Sequence, residues 1–345
     1  MSGTVILTDP SFDQHDWHGH VEQAARLVAI RNAITPLRDA LQHRLPRPAP
    51  DAALEAVHSP QLLRRIRQHA SYGGGQFDSD TYVTADSWEV ATLAAGSAIG
   101  AVEAIAGTSA RNAFALVRPP GHHATPARAM GFCLINNIAV AARYAIRNLG
   151  VRRVAIVDYD VHHGNGTQDI FYTDPHVLFV STHAAPFYPG TGAVREMGDY
   201  QMAPGAILNV PLPFGAGIRS YSRVFAQAIA PAIRRFKPEL ILVSAGYDAH
   251  WSDPLGPMVL AVSGFAHLNQ VLLELADEFC DGRIVFVLEG GYNLEALGAC
   301  VLTSLRQLLG HDPGPDPIGE VNAPEPLNEV DQVIELLRER HPLLS

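Results

Sequence analysis

The stretch Val154-Ala155-Ile156-Val157-Asp158-Tyr159-Asp160-Val161-His162-His163-Gly164-Asn165-Gly166-Thr167 joins a short apolar run to a cluster of carboxylates and imidazoles. The four apolar residues at its start predict a buried strand. Because alternate residues of an extended segment point to the same side, Asp158, Asp160 and His162 can share one face. Two carboxylates and an imidazole at this spacing suit a metal site. A polar turn that closes the strand is the alternative interpretation.

Similar apolar runs recur along the chain and alternate with longer segments of helical period. This alternation predicts an α/β fold, with a central, mainly parallel sheet flanked by helices on both faces. The predicted strands cover residues 4–7, 113–117, 154–157, 177–181, 240–244 and 284–288, and the predicted helices cover residues 21–35, 87–106, 135–148, 219–235, 263–279 and 294–308.

The length of 345 residues fits either two average domains or one large α/β domain. Residues 311–317 are rich in proline and glycine and interrupt regular structure, and residues 327–340 then predict one more helix. We expect a single domain over residues 1–310 and a C-terminal extension, residues 311–345, that packs on this domain or trails from it.

Composition narrows the class of protein. A hydrophobic content of 47% with 17% charged residues is typical of a globular chain. The net charge of −10 disfavours nucleic-acid binding and is compatible with cationic substrates. The apolar runs are too short for a bilayer and no secretion signal is evident, so we expect a cytoplasmic protein with no membrane partner. Cys133, Cys280 and Cys300 are widely spaced, which favours buried thiols over disulfides.

Polar segments directly follow four of the predicted strands. In open α/β sheets, ligands bind beyond the carboxyl ends of the strands. The segments are residues 118–123, 158–167, 245–248 and 289–293, each with glycines that let the backbone approach a ligand closely. We therefore expect them to form one site.

Asp160, His162 and Asp248 could hold one divalent ion and leave a coordination position for water or substrate. Zinc is the first choice, and Fe(II), Mn(II) and Co(II) remain compatible because two carboxylates make the donor set harder than three histidines. Such an ion lowers the pKa of its water and polarises a carbonyl oxygen, as the hydrolysis of an amide near neutral pH requires.

The tandem imidazoles of His122 and His123 are candidates for general acid and base, because imidazole titrates closest to neutral pH. A structural loop element is the alternative for such a pair. Asp158 and Asn165 are plausible orienting partners, since a carboxylate or amide oxygen beside a catalytic imidazole fixes its tautomer.

Tyr292 follows two glycines after a predicted strand and could donate a hydrogen bond to an oxyanion. His163 faces away from His162 on an extended segment, which favours a packed, hydrogen-bonded imidazole. His15, His18 and His20 lack closely spaced carboxylate partners, which favours a rim loop over a second metal site.

Together these segments resemble the zinc-dependent histone deacetylase family, in the right order over roughly residues 3 to 310. The sequences of residues 165–167, 253–256 and 289–291 are similar to the class II branch and its bacterial relatives, the histone deacetylase-like and acetylpolyamine amidohydrolases. The resemblance implies an arginase-type catalytic domain over residues 1–310. It also implies catalytic zinc at Asp160, His162 and Asp248, with His122 and His123 handling protons and Tyr292 stabilising the oxyanion.

The family also carries structural potassium ions, which implies one or two further cation sites. By motif position, one would use Asp158, Asp160, His162, Ser181 and Thr182, and a second would lie near Phe171, Asp174 and Val177. The resemblance further implies a tunnel for the acyl-lysine chain lined by Gly131, Phe132, Tyr188 and Leu255, with Asp80 and His20 at its rim.

Two departures from the family pattern matter. The family's His-Pro-Glu-Arg-Pro segment reads His-Val-Glu-Gln-Ala over residues 20–24, so both prolines are lost and the rim loop should differ in shape. Leu255 stands where a polyamine-selective relative carries an acidic gatekeeper, which disfavours polyamine preference by that device. Tyr292 is retained, which implies deacetylase activity.

The expected function is therefore a zinc-dependent amidohydrolase that removes acetyl or related short acyl groups from an acylated lysine peptide, a protein or a small amine. The alternatives are an acetylpolyamine amidohydrolase, an arginase-like ureohydrolase with two manganese ions, and a non-catalytic sensor of acyl ligands. A homo-oligomer is compatible with the sequence, because oligomer contacts can reshape rim loops. The physiological substrate stays open.

Overall fold

The computed structural model describes residues 3–106 and 110–344. Its strands are β1 (Thr4–Leu7), β2 (Leu41–Arg44), β3 (Gly74–Gln76), β4 (Tyr82–Thr84), β5 (Asn112–Ala115), β6 (Val154–Asp158), β7 (Val177–Ala184), β8 (Ile207–Leu212), β9 (Leu240–Ala245) and β10 (Ile284–Leu288). Eight of them form one sheet in the order β2-β1-β5-β10-β9-β6-β7-β8, and every neighbouring pair is parallel. Strands β3 and β4 form a separate antiparallel pair.

Helices cover both faces of the sheet. They are α1 (Ala25–Ala33), α2 (Asp51–Glu55), α3 (Pro60–Ser71), α4 (Ser87–Ala106), α5 (Asn137–Asn148), α6 (Asn165–Phe171), α7 (Ile218–Val224), α8 (Ala230–Phe236), α9 (Val262–Phe279), α10 (Leu294–Leu308) and α11 (Leu327–Arg340). Helices α4 and α5 pack together in one layer, and α1, α9 and α10 pack together in the other. The predicted α/β class with a parallel sheet is confirmed.

The central strands are apolar along almost their whole length because helices cover them on both sides. Every residue of β6, β9 and β10 is buried. Polar residues enter only at the carboxyl ends, where the register pairs Asp158 of β6 with Ser181 of β7 and with Ser244 of β9. One edge of the sheet thus gathers the polar groups of several loops.

Helix α4 is the one helix in the described part of the chain that is long and apolar enough to cross a membrane. Within the fold, 72% of its most apolar window is buried, which is typical of a core helix.

Each predicted strand and helix is present, with end positions that shift by a few residues. Strands β2 and β8, the β3–β4 pair and helices α2, α3 and α6 were not predicted. The two missed sheet strands lie at its edges. Three of the four residues of β2 are exposed, whereas β8 is largely buried but has Asn209 and Pro211 within its apolar run. The helix predicted over residues 219–235 contains a π-helical segment, Phe225–Ile229, ahead of Pro231, which lacks the N–H that a regular helix needs.

Residues on either side of the C-terminal helix α11 contact the rest of the fold, one at helix α7 and the other at the edge strand β8. Glu325 accepts hydrogen bonds from the backbone N–H groups of Gly217 (3.0 Å) and Ser220 (2.7 Å) at the start of α7. His341 Nε2 lies 2.9 Å from the carbonyl oxygen of Ile207 in β8. Through these contacts the C-terminal extension packs on the domain. The domain boundary near residue 310 stays a prediction.

Candidate active site

Four neighbouring strands in the middle of the sheet, β5, β10, β9 and β6, carry the predicted zinc ligands and catalytic residues in the loops at their carboxyl ends. The β5 loop carries His122 and His123, and the β6 loop carries Asp160 and His162. Asp248 follows β9 and Tyr292 follows β10.

Asp160, His162 and Asp248 bring their ligand atoms within 4.8 Å of one another, and all three residues are buried. His162 Nδ1 lies 3.1 Å from Asp160 Oδ1 and 3.1 Å from Asp248 Oδ2. The backbone N–H of Gly290 donates to Asp160 Oδ2 at 2.9 Å. A Cβ atom at Gly290 would overlap both carboxylates, so only glycine allows this approach.

The electrostatics of this cluster fit a divalent cation. Burial lowers the pKa of His162, but hydrogen bonds to Asp160 and Asp248 outweigh it and raise the pKa to about 10. Burial and the charge of Asp160 raise the pKa of Asp248 to about 7. The two carboxylates therefore favour positive charge between them. A metal ion bound by the same three side chains would take over that positive charge, and the oxygen and nitrogen donors suit zinc.

The tandem histidines have separate orienting partners, and both were predicted. His122 Nδ1 lies 2.9 Å from Asp158 Oδ2, and His123 Nδ1 lies 2.8 Å from Asn165 Oδ1. Burial lowers the pKa of His122, but the charges of Asp158 and nearby Asp160 outweigh it and raise the pKa to about 10. Burial lowers the pKa of His123 well below its usual value, and its cationic neighbours lower it further. One imidazole thus favours the protonated form and the other the neutral form.

A cavity of about 210 Å³ leads to these groups. Its aromatic side chains contact the candidate catalytic residues: the Phe132 ring lies 5.7 Å from Tyr292, and the Tyr188 ring lies 5.2 Å from His123. The lining contains the four predicted tunnel residues, Gly131, Phe132, Tyr188 and Leu255, and the predicted rim carboxylate, Asp80. The other lining residues are His123, His162, Phe187 and Tyr292.

Phe187 is a tunnel residue that the sequence interpretation missed. Its ring stacks on His162, with centroids 5.2 Å apart and planes 18° apart. Gly131 is required by close packing, because a Cβ atom there would overlap the ring of His123.

Tyr292 is held from two sides. Its backbone N–H donates to Asp253 Oδ2 at 2.6 Å, and the guanidinium of Arg26 lies 4.9 Å from its ring centroid. Burial raises the pKa of Tyr292 well above its usual value, although Arg26 opposes the rise. The phenol therefore stays protonated at neutral pH and can act as a hydrogen-bond donor.

Glu289 is a second residue whose role was not predicted. This fully buried carboxylate accepts hydrogen bonds from the backbone N–H groups of Gly121 (2.6 Å) and His122 (3.1 Å) through one oxygen, and from Ser244 Oγ (3.3 Å) through the other. Burial raises its pKa to about 7, although His122 opposes the rise. The only sequence signal was an acidic residue between an apolar strand and a glycine pair.

Glu22 anchors the rim loop that lacks the two prolines. It forms salt bridges with Arg26 (3.0 Å) and Arg118 (2.5 Å), and all three side chains are buried. Arg26 also donates to the carbonyl oxygens of Glu289 (2.5 Å) and Gly291 (2.7 Å). Burial raises the pKa of Glu22, but the guanidinium groups outweigh it and lower the pKa to about 2. Ion pairs and hydrogen bonds thus connect this loop to the Tyr292 loop.

The two residue groups assigned to potassium lie in different places, and both assignments stay predictions. In the first group, Thr182 Oγ1 lies 3.5 Å from the carbonyl oxygen of Asp158. In the second, the Asp174 N–H donates to the Phe171 carbonyl oxygen at 3.0 Å, and Arg143 forms an ion pair with the Asp174 carboxylate. Arg143 therefore already balances that charge.

At the rim, His20 Nε2 lies 3.1 Å from the carbonyl oxygen of Asp80, so the two predicted rim residues are neighbours. His163 is packed as expected, with its ring nitrogens 2.7 Å from Thr191 Oγ1 and 3.1 Å from Gln168 Oε1. Burial, with the neighbouring His183, lowers the pKa of His163 to about 3.

Within residues 3–106 and 110–344, the Asp160, His162 and Asp248 group is the only cluster of three or more His, Cys, Asp or Glu residues arranged to hold a metal. The described chain thus offers no second cluster for a two-manganese ureohydrolase. It also offers none at His15, His18 and His20.

The histone deacetylase domain model matches residues 20–308. The chain is 41% identical to histone deacetylase 10, chloroplastic, of Oryza sativa subsp. japonica, with 98% of this chain and 81% of the relative covered. It is 39% identical to a histone deacetylase-like amidohydrolase of Pseudomonas aeruginosa, with 85% and 77% covered. The crystal structure of the HDA15 HD domain superposes with a TM-score of 0.90 at 35% identity, covering 99% of this chain and 98% of the other. The chain belongs to the histone deacetylase family.

Proposed function

We propose that the protein is a zinc-dependent amidohydrolase that removes acetyl or related short acyl groups from lysine-like amines. The observation that carries this proposal is the placement of Asp160, His162 and Asp248 at the base of an aromatic tunnel, beside two oriented imidazoles and a phenol. The three buried side chains would hold the ion. When bound, zinc supplies Lewis acidity that lowers the pKa of a water molecule and polarises the amide carbonyl.

The two histidines divide the proton transfers. His123 is held through Nδ1 by Asn165 and favours the neutral form, so its Nε2 can accept a proton from the attacking water. His122 is held by Asp158 and favours the protonated form, so its positive charge stabilises negative charge that develops nearby. When the amide C–N bond breaks, the histidine pair returns a proton to the leaving amine.

Tyr292 donates its phenolic hydrogen to the oxygen of the developing tetrahedral centre. Its high pKa keeps it protonated, and the Asp253 and Arg26 contacts hold it in place before the substrate arrives. Such preorganisation is what makes one donor effective in a buried site.

The tunnel selects the shape of the substrate. Phe132 and Tyr188 present apolar rings that suit a flexible methylene chain. Leu255 is uncharged and so cannot serve as an acidic gatekeeper for the second amine of a polyamine, and Asp80 is the carboxylate in the tunnel lining. An acetylpolyamine amidohydrolase with the same chemistry is the second candidate.

The test uses purified protein stripped of metal with a chelator. Hydrolysis of an acetyl-lysine reporter should disappear and return when zinc is added. Asp248→Ala should abolish both bound zinc and hydrolysis, while the surface control Asp331→Ala should behave like the parent protein. Full activity of the stripped protein, or of Asp248→Ala, would refute the proposal. The ratio of kcat/KM for an acetyl-lysine peptide and for acetylputrescine separates the two candidates.

A further inference from the structure

A second cavity, of about 200 Å³, lies beside the mouth of the tunnel. Asp80 lines both cavities. His20 lines the second one, and its ring makes an edge contact with Phe132 of the tunnel, with centroids 4.8 Å apart. The two cavities therefore adjoin at Asp80 and at the contact between His20 and Phe132.

The wall of this cavity carries an exposed aromatic ring. Trp17 is 42% exposed, although indole is a large apolar group that folding usually covers. Its ring packs on the buried Tyr82 at a centroid distance of 5.9 Å, and the Tyr82 hydroxyl donates to the carbonyl oxygens of His15 (3.2 Å) and Glu22 (3.1 Å). The indole is thus backed by an anchored ring while much of its surface faces solvent.

Among the residues that line this cavity, Asp80 carries the one carboxylate, and Asp78 lies beside it. Asp80 Oδ1 accepts from Thr81 Oγ1 at 3.0 Å, and the neighbouring Asp78 accepts the backbone N–H groups of Asp80 (3.1 Å) and Thr81 (2.8 Å). Neither carboxylate forms a salt bridge with Lys or Arg in the described part of the chain. A carboxylate beside an open indole face is suited to a cation, and best to a guanidinium, which stacks and pairs at once.

We propose that this cavity, formed by Trp17, His20, Tyr82 and Asp80, binds a positively charged side chain next to the acyl-lysine of a peptide substrate. The proposal rests on the proposed function, because the acyl-lysine has to occupy the tunnel. Successive residues of an extended peptide are about 3.3 Å apart, so the side chain of a near neighbour reaches an adjacent cavity. The net charge of −10 on the protein also favours positively charged substrates.

The test compares peptides that share one sequence around acetyl-lysine and differ at a single flanking position, which carries arginine, neutral citrulline or glutamate. Citrulline keeps the shape of arginine and removes its charge. At one flank or the other, we expect arginine to raise kcat/KM about fivefold over citrulline, mainly through KM, with glutamate lowest and the difference reduced by salt.

Two variants locate this preference. Trp17→Leu and Asp80→Asn should each move the arginine-to-citrulline ratio toward one, whereas Tyr200→Leu, at an aromatic residue that is 89% exposed and lines neither cavity, should leave the ratio unchanged. Melting temperature and bound zinc identify a variant that misfolds. If one of the two variants misfolds, the arginine-to-citrulline ratio of the other tests the proposal. A ratio near one in the parent protein, or one that both variants preserve, would overturn the proposal.

Failure of the proposed function gives a different result. In that case no peptide is hydrolysed, whatever its flanking residue. Isothermal titration calorimetry of the same arginine and citrulline peptides with the zinc-loaded protein then tests the cation site without turnover. Equal affinities would overturn the cation site, and a preference for arginine that Trp17→Leu removes would support it.

Discussion

Replacing Glu289 with alanine tests whether a buried carboxylate holds the catalytic loop in place. Glu289 Oε2 accepts the backbone N–H groups of Gly121 and His122, at 2.6 and 3.1 Å. Alanine leaves both donors buried without a partner, at a cost of about 1–3 kcal/mol each. We therefore expect Glu289→Ala to lower the free energy of unfolding by about 2–6 kcal/mol.

The effect on catalysis should appear in kcat. Glu289 touches the loop that carries His122 and His123 but does not line the tunnel, so substrate binding should change little. A displacement of about 1 Å of a catalytic group can cost about 100-fold in rate. We expect kcat for acetyl-lysine hydrolysis to fall by this order, with KM within about twofold and bound zinc retained.

Glutamine at this position separates geometry from charge. Both backbone bonds end on the same oxygen, so an amide oxygen can accept them while the amide nitrogen faces Ser244 Oγ. Glu289→Gln should keep kcat within about threefold and stability within about 1 kcal/mol of the parent protein. Ser244→Ala, which removes only the 3.3 Å contact, is the matched control. Denaturant unfolding and steady-state kinetics measure both effects. If Glu289→Ala keeps its kcat, or Glu289→Gln loses as much as alanine does, the positioning argument is wrong.

Three further outcomes can be measured. Tyr292→Phe should lower kcat about 100- to 1,000-fold with little change in KM, because its hydrogen bond strengthens only as the oxyanion forms; steady-state kinetics that show an unchanged kcat would contradict this role. Burial lowers the pKa of His58 to about 4, and its Nε2 accepts the backbone N–H of Asn136 at 2.9 Å. Since the folded pKa of His58 lies below the ordinary 6.5, the neutral imidazole contributes fully to stability above pH 6.5, and up to about 3 kcal/mol of stability is lost as pH falls toward 4. The free energy of unfolding, measured with denaturant from pH 4.5 to 7.5, should therefore depend less on pH in His58→Gln than in the parent protein. An equal pH dependence in the two proteins would refute this role of His58. Chelation should lower the melting temperature of the parent protein but not that of Asp248→Ala, which lacks one of the three proposed zinc ligands. A scanning fluorimetry experiment in which both respond equally would place the metal elsewhere.

The sequence predicted the centre of the fold well because two signals coincided there. Strands β5, β6, β9 and β10 are buried on both faces, which requires nearly continuous apolar runs, and each ends in a polar, glycine-containing loop. A parallel sheet brings such loops to one edge, so the cluster of His122, Asp160 and Asp248 could be inferred before its distances were known.

Edges and long-range partners could not be inferred in this way. Strand β2 has one buried residue in four, which erases the apolar pattern that marks a strand. The partners of Glu289 lie 168 and 167 residues away along the chain, at Gly121 and His122. No local spacing relates groups that far apart, and only the neighbouring positions of β5 and β10 bring them together.

Buried carboxylates connect the loops of this site, and one of them supports the rim loop, which has no proline at residues 20–24. Glu22 pairs with Arg118 of the β5 loop and with Arg26, which in turn donates to the Tyr292 loop. Glu289 then ties the β10 loop back to the β5 loop. Removing one member leaves a buried charge or donor uncompensated, so each contact matters more than its own strength implies. A proline stiffens one loop, whereas this network fixes the loops relative to one another, as a site assembled from four strand ends requires.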